Sequence, residues 1–103
     1  MKKTTLLSTA LLASLLAISF PGQADMAKGE RIFKQNCATC HGKQGEKKAF
    51  DESRVINQLN SEEIFTALQD RKAGKIEGAG NRVKSRLSEQ NMKDLAEFVP
   101  TLK

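Results

Sequence analysis

The residues of this chain best suited to covalent or metal chemistry lie together in one short stretch. The sequence KQNCATCHGKQ, residues 34–44, contains both cysteines, Cys37 and Cys40, and the only histidine, His41. Two thiols three residues apart, with an imidazole directly after the second, can bind a metal ion, form a disulfide or bond covalently to a cofactor. The rest of the sequence decides among these three chemistries.

Metal and disulfide chemistry fit the remaining sequence poorly. Structural zinc takes four protein ligands, and no further cysteine or histidine follows His41. A redox-active disulfide normally sits between a strand and a helix, and no segment alternates at the period of two that a strand requires. A purely structural disulfide would leave the adjacent histidine without a role. We therefore favour covalent attachment of a cofactor.

Two cysteines at this spacing, followed by histidine, are typical of c-type haem attachment. The two thiols add to the two vinyl groups along one edge of the porphyrin, and the helical turn between them leaves the next residue beneath the ring centre. The sequence thus predicts one covalently attached haem c. Cys37 and Cys40 are its predicted cofactor-binding residues, and His41 is the predicted proximal ligand of the iron.

The N-terminal residues have the features of an exported precursor. Two lysines precede an apolar run, residues 6–20, and the small residues Gly22 and Ala24 follow it. The run is shorter than the roughly 20 residues of a membrane-spanning helix. We therefore predict a secretory signal peptide over residues 1–24, cleaved after Ala24, and a periplasmic mature protein, residues 25–103, without a membrane span.

The mature chain is predicted to be one small domain. Of the 17 basic and 12 acidic residues, only two lysines lie in the signal peptide, which leaves residues 25–103 with a net charge of +3. The basic residues are interspersed with acids, and there is no Trp or Tyr for base stacking, so a nucleic acid is not expected as a partner. A domain of this size buries little apolar surface and usually needs a cross-link or a cofactor. The predicted haem would supply it.

Helical periodicity dominates the mature chain. One helix is predicted over residues 26–37, where apolar residues recur at intervals of three and four. A second is predicted to begin with Ser61 as N-cap and to end with Gly74 as C-cap. The last begins with Ser88 as N-cap and stops at Pro100. The chain is therefore predicted to be all-α.

The pattern is weaker between these helices. Asp51 is the predicted cap of a short helix that includes Val55, Ile56 and Leu59. Residues 75–86 contain two glycines and follow a third, so they are predicted to form a loop.

With this order of features the mature chain resembles the small bacterial class I cytochromes c, which are periplasmic monohaem proteins. The resemblance covers essentially the whole mature chain. In that family an N-terminal helix with a glycine and an aromatic residue crosses a C-terminal helix with a second aromatic. Here KGERIFKQNCATCHG supplies Gly29 and Phe33, and LSEQNMKDLAEFV supplies Leu95 and Phe98. The resemblance implies the small class I fold, with these two helices crossing around one covalently bound haem.

The chain departs from the family where the iron would take its sixth ligand. The family pattern places a methionine in the loop before the last helix, but no methionine, histidine or cysteine lies in residues 43–90. Met92 belongs to the apolar stripe of the last helix and is expected to pack in the core. Met26 lies at the first turn of the first helix, on the same chain segment as the predicted proximal ligand, and is therefore a poor candidate for the sixth ligand.

Other residues of the loop offer weaker donors. Asn81 follows directly after the position where the family ligand would lie, and it is our candidate for a weak sixth contact to the iron. Lys75 and Lys84 are alternatives, although a lysine must lose its proton before it can bind a metal. An open or water-filled position is the other state that the sequence leaves open.

The leading functional hypothesis is a periplasmic electron carrier between redox proteins. Lys43, Lys47 and Lys48 follow the haem motif and could guide an acidic docking surface towards it. The alternative is a haem protein that binds small diatomic gases at a weak or vacant sixth position. An enzyme is not expected, because binding of His41 to iron leaves no histidine for acid–base catalysis, and haem attachment leaves no free thiol.

Overall fold

Helices are the only regular elements in the computed structural model, which describes residues 23–51 and 53–103. The α-helices of this part are α1 (Met26–Asn36), α2 (Ala38–His41), α3 (Ser61–Lys72), α4 (Asn81–Lys84) and α5 (Glu89–Phe98). Short 3-10 turns occur at Ala49–Asp51, Ile56–Gln58 and Val99–Thr101. This architecture confirms the predicted all-α class. Residues 1–22 of the predicted signal peptide lie outside the described part of the chain. No helix in the described part is long and apolar enough to cross a membrane.

The first helix begins and ends within one residue of its predicted bounds. The side chain of Asp25 caps α1 by accepting a hydrogen bond from the backbone N–H of Lys28 at 3.0 Å. At the other end, the N–H of Cys37 donates to the carbonyl of Phe33 at 2.9 Å, and α2 begins directly after Cys37. The first cysteine of the motif therefore lies at the bend between two helices.

The third helix is capped by a residue that differs from the predicted one. Asn60, rather than Ser61, is the N-cap, because its side chain accepts from the N–H of Glu63 at 2.8 Å while the Glu63 carboxylate accepts from the N–H of Asn60 at 3.1 Å. Gly74, the predicted C-cap, lies one residue beyond the actual cap, Ala73, and has a φ of +77°. Glycine adopts this left-handed conformation without steric cost, so the helix ends there.

The last helix starts at its predicted cap. Ser88 accepts from the N–H of Asn91 at 3.0 Å, and the Asn91 side chain accepts from the N–H of Ser88 at 3.0 Å. Helix α5 ends at Phe98, and Pro100 lies within the 3-10 turn that follows it.

The short helix predicted after Asp51 forms only as the 3-10 turn at Ile56–Gln58, and its N-cap is Val55. Phe50 and Asp51 both have a φ of 56°, whereas an N-cap normally has an extended backbone. The N–H of Ala49 donates to the hydroxyl of Ser53 at 2.9 Å. The predicted cap at Asp51 is therefore wrong.

The core forms where α1 crosses α5. A side chain at Gly29 would overlap the backbone carbonyl of Asp94 and would lie 2.9 Å from the Cβ of Phe98. The rings of Phe33 and Phe98 pack one helical turn further on, with centroids 5.9 Å apart and planes inclined by 53°. The predicted crossing is therefore confirmed. The buried core residues around it are Phe33, Leu59, Ile64, Leu87, Met92, Leu95, Ala96, Phe98 and Val99.

Candidate haem attachment site

The motif residues lie on a single helical turn. In α2 the N–H of His41 donates to the carbonyl of Cys37 at 3.0 Å, and the N–H of Cys40 donates to the same carbonyl at 3.3 Å. Both thiols are free, with Cys37 half-buried and Cys40 exposed. The turn thus places all three predicted cofactor residues on one short element at the end of the core helix α1.

His41 is presented in the form that binds a metal. Its ring is partly buried, and its Nδ1 atom is buried without a hydrogen-bond partner among the described residues. Burial lowers the pKa of His41, and the positive charges of Lys84 and Arg71 lower it further. A lowered pKa keeps the imidazole neutral at pH 7, and only the neutral ring has a lone pair for iron.

The loop after the motif is folded tightly against it. Gly42 has a φ of +89°, and a side chain there would overlap the Glu46 carboxylate. The N–H of Lys47 donates to the carbonyl of His41 at 2.9 Å, and the side chain of Asn57 donates to the carbonyl of Gln44 at 2.9 Å. These bonds fix the backbone that leaves the motif, so the orientation of His41 is set from both sides.

The chemistry of the site fits haem better than a bare metal ion. Within the described residues there is no group of three or more His, Cys, Asp or Glu side chains that could hold a metal. Burial raises the pKa of Cys37 to about 11, an effect that the Lys84 charge partly opposes, so this thiol is a poor metal-binding thiolate at pH 7. Two unpaired thiols beside a neutral histidine fit a haem that would be held by two thioether bonds and one imidazole nitrogen.

Two cations from other elements face the motif, and the sequence interpretation did not single them out together. Lys84 is partly buried in α4, and its pKa is lowered first by burial and then by the charge of Arg71. Glycines of the loop make room for both: a Cβ on Gly78 would overlap the Arg71 guanidinium, and a Cβ on Gly80 would lie 2.6 Å from the Lys84 Nζ atom. The glycine spacing was thus a signal for close packing, but the sequence did not show that cationic side chains would fill the space.

Asn81, the predicted sixth contact, takes part in the hydrogen bonds of its own loop. Its amide nitrogen donates to the carbonyl of Ile76, and its amide oxygen accepts from the Arg71 guanidinium at 3.5 Å. Iron binding through this oxygen would therefore replace a long hydrogen bond from Arg71. Ligation by Asn81 stays a prediction.

The two methionines of the described residues, Met26 and Met92, are located where the sequence predicts. Met92 is 4% exposed and packs in the core on α5. Met26 is 44% exposed and opens α1. In the described residues neither one belongs to the loop that precedes α5.

Two cationic surfaces lie near the motif. Lys43, Lys47 and Lys48 are exposed in the loop that follows it, and none of them joins an ion pair with another described residue. A groove of about 240 Å³ lies between α1 and the end of the loop before α5. We call it the α1 groove; its lining residues are Lys28, Arg31, Ile32, Asn36, Val83, Arg86, Leu87 and Asn91.

Comparison with known proteins gives consistent matches over most of the chain. Residues 24–99 match the family described as cytochrome C oxidase, cbb3-type, subunit III. Cytochrome c-553 from one strain of Helicobacter pylori is 35% identical over 79 residues, which cover 76% of this chain and 82% of that protein. Its counterpart from a second strain is 34% identical over the same length. Cytochrome c6 from Cyanidioschyzon merolae is 30% identical over 100 residues, which cover 90% of this chain and 89% of that protein.

Proposed function

The chain belongs to the cytochrome c family, and from this premise we propose that it is a periplasmic monohaem electron carrier that moves single electrons between redox proteins. Haem c is its cofactor. When bound, the haem supplies an iron that alternates between the ferric and ferrous states and so holds one electron. The relatives named as cytochromes c-553 and c6 support a role in electron transfer.

The observation that carries this proposal is the placement of Cys37, Cys40 and His41 on one turn. We assign the two thioether bonds to Cys37 and Cys40 and proximal ligation to His41. The neutral imidazole and the hydrogen bond from Lys47 to the His41 carbonyl support this assignment. In the ligated ring the buried Nδ1 atom would carry the N–H and the other nitrogen would bind the iron. No described residue accepts from Nδ1, so this N–H lacks the hydrogen-bond partner that a metal-bound histidine usually has.

The chain's own part in electron transfer is to hold a rigid pocket and to present a docking surface. The bonds around Gly42 and Asn57 limit movement of the loop beside the motif, and little movement means little reorganisation when the charge changes. We further propose that Lys43, Lys47 and Lys48 guide partners with acidic surfaces, because opposite charges increase the rate of productive encounters. The proposed partners are proteins and not nucleic acids, and the proposed mature form has no membrane span.

A second candidate function is the binding of nitric oxide, carbon monoxide or oxygen. The loop before α5 has no methionine, and Met92 is committed to the core. The distal side therefore has only weak donors such as Asn81, which a diatomic ligand could displace. A catalytic role is less well supported, because His41 is the only histidine and the electron-transfer names of the relatives do not point to an enzyme.

Optical spectra of the purified ferric and ferrous holoprotein test the two functions. A six-coordinate low-spin spectrum that is unchanged by carbon monoxide supports the electron carrier. A high-spin spectrum that shifts on addition of carbon monoxide supports the gas-binding protein. In both cases His41→Ala is expected to lose the native spectrum, whereas Thr39→Ala, at the exposed position between the cysteines, keeps it; an unchanged spectrum in His41→Ala would mean that another residue binds the iron.

A further inference from the structure

An unusual carboxylate lies where α1 meets α5. Asp94 is fully buried, at 0% exposure, and is the one charged side chain buried to this extent in the described residues. Its Oδ1 atom accepts from the backbone nitrogen of Asp25 at 2.8 Å and from the Gln90 amide at 2.9 Å. Its Oδ2 atom is buried and has no hydrogen-bond partner in residues 23–51 and 53–103. A buried carboxylate is costly unless it is paired with a cation and fully hydrogen-bonded, so this site lacks a donor and a positive charge.

The missing donor corresponds to a group that processing would create. Hydrolysis of the peptide bond between Ala24 and Asp25 consumes one water molecule, leaves a carboxylate on Ala24 and leaves an amino group on Asp25. That amino group is protonated at neutral pH, because α-amino groups have a pKa of about 7.7–8.0. The atom that donates one hydrogen bond to Asp94 in the uncleaved chain becomes an ammonium with three donors and a positive charge.

We propose that Asp94 is a binding site for the chain's own α-ammonium, and that removal of the signal peptide completes the fold by forming this buried ion pair. The proposal rests on the cleavage proposed after Ala24. The nitrogen of Asp25 already lies 2.8 Å from one carboxylate oxygen, and an ammonium at that place has a spare proton for the second, unpartnered oxygen. The ammonium would then neutralise the charge of the Asp94 carboxylate and donate to both of its oxygens.

Cleavage would also remove a neighbouring hydrogen bond. The amide nitrogen of Gln90 has two N–H groups, and it donates to Asp94 and to the carbonyl of Gln23, each at 2.9 Å. Gln23 leaves with the signal peptide, so one N–H of Gln90 loses its acceptor while the other still donates to the carboxylate. The bond from Gln90 to Asp94 is thus compatible with the added cation.

The position of the pair explains why it would affect the whole domain. Asp25 is the N-cap of α1, and the carbonyl of Asp94 is the group that Gly29 approaches at the helix crossing. A positive charge at a helix N-terminus is normally unfavourable because of the helix dipole. Here the carboxylates of Asp25 and Asp94 offset that effect, and the pair links the start of α1 to the middle of α5.

A double-mutant cycle on the mature holoprotein tests the proposal. Protein that begins at Asp25 is compared with protein that retains Gln23 and Ala24, each with Asp94 and with Asp94→Asn, by denaturant unfolding at pH 7. We expect the two-residue extension to lower the folding equilibrium constant at least tenfold in the Asp94 protein, which equals about 1.4 kcal/mol. In the Asp94→Asn background it should change the constant less than twofold. Equal effects of the extension in both backgrounds would overturn the ion pair.

A second measurement avoids reliance on the Asp94→Asn variant. The α-amino group of native protein should react with acetic anhydride at pH 7 at least tenfold more slowly than the same group in the denaturant-unfolded chain. Equal rates would refute the pair. The intact mass of the exported protein separates the two proposals: a mature chain that begins elsewhere than Asp25 refutes the cleavage site and the pair together, whereas a chain that begins at Asp25 without protection refutes only the pair.

Discussion

The crossing of α1 and α5 and the loop of residues 75–86 both flank the haem motif, but they are built on different principles. At the crossing, backbone approaches backbone at Gly29 and two buried aromatic rings pack against each other. In the loop, glycines accommodate the charged side chains of Arg71 and Lys84, and α4 has only four residues. The crossing is therefore stabilised by burial of apolar surface, and the loop by hydrogen bonds such as those that the Arg71 guanidinium donates to Glu77 and Asn81.

This difference assigns separate tasks to the two regions. Helices α1 and α5 carry five of the nine buried core residues, and burial of apolar surface is the main favourable contribution to folding. The loop faces the predicted distal side of the haem and has few apolar contacts, so it can vary without loss of the fold. Substitutions in the crossing should change stability, and substitutions in the loop should change the properties of the iron.

The largest expected effect comes from removing the covalent attachment of the haem, whose motif both regions flank. Replacing Cys37 and Cys40 together by Ala is expected to abolish covalent haem, because no other thiol exists in the chain. The measurement is haem staining of the exported protein after denaturing electrophoresis. Thr39→Ala is the control and should keep the stained band. A stained band in the double variant would contradict the attachment assignment.

The core of the crossing is tested by Phe33→Ala. Phe33 is 1% exposed and contacts Phe98, so loss of its ring should leave a cavity and lower the free energy of unfolding by about 3–5 kcal/mol. Phe50, which is 69% exposed, gives a matched control. Phe50→Ala should change the free energy of unfolding by less than about 0.5 kcal/mol. Similar losses in the two variants would mean that the crossing is not the stabilising core.

The same glycine-to-alanine substitution can be made in the crossing and in the loop, which compares the two regions directly. In Gly29→Ala the new methyl group meets the backbone of Asp94, which cannot move aside, so the free energy of unfolding should fall by about 1–3 kcal/mol. In Gly80→Ala the new group meets the flexible end of Lys84, so the expected change is within about 0.5 kcal/mol. Chemical denaturation of both holoproteins measures this. A larger loss for Gly80→Ala would reverse the proposed roles of the crossing and the loop.

The sequence predicted the crossing better than the loop for a physical reason. The two helices follow from the helical period of the sequence, which is a local property, and their crossing at Gly29, Phe33 and Phe98 was implied by the resemblance to the class I cytochromes c. Ser88 was found as a cap because its hydrogen-bond partner is three residues away. The turn at Phe50 and Asp51 was missed because a positive φ is rare for an aromatic residue and because Asp is also a common helix cap.

The surroundings of the motif depend on contacts that a sequence pattern does not contain. The position of Arg71 near the end of α3 does not indicate that its guanidinium reaches the carbonyl of Glu77 and the amide of Asn81. The buried Asp94 was likewise not recognised, because its partner at Asp25 is 69 residues away. The motif itself was recognisable since its three residues lie next to one another.

The loop is expected to control the iron without controlling the fold. If Asn81 binds iron weakly, Asn81→Met should raise the reduction potential and produce the near-infrared sulfur-to-iron band, because a soft thioether favours ferrous iron. Asn81→Ala should stay folded and bind carbon monoxide faster than the wild type. Equal carbon monoxide binding in the wild type and Asn81→Ala would show that Asn81 is not a ligand. A sulfur band already present in the wild type would mean that Met92 leaves its core position.

The smallest expected effect concerns docking, where the two cationic surfaces beside the motif can be told apart. Lys48→Glu should slow oxidation of the ferrous protein by hexacyanoferrate(III), a trianion, by roughly threefold at low ionic strength, because it reverses a charge near the electron exit. The same variant should speed oxidation by a cationic cobalt(III) complex, and both effects should fade at high salt. Lys103→Glu, at the C-terminus, has the same net charge and should change neither rate by more than a small fraction. If Arg31→Glu in the α1 groove has the larger effect, electrons leave beside α1, at the seam between the crossing and the loop.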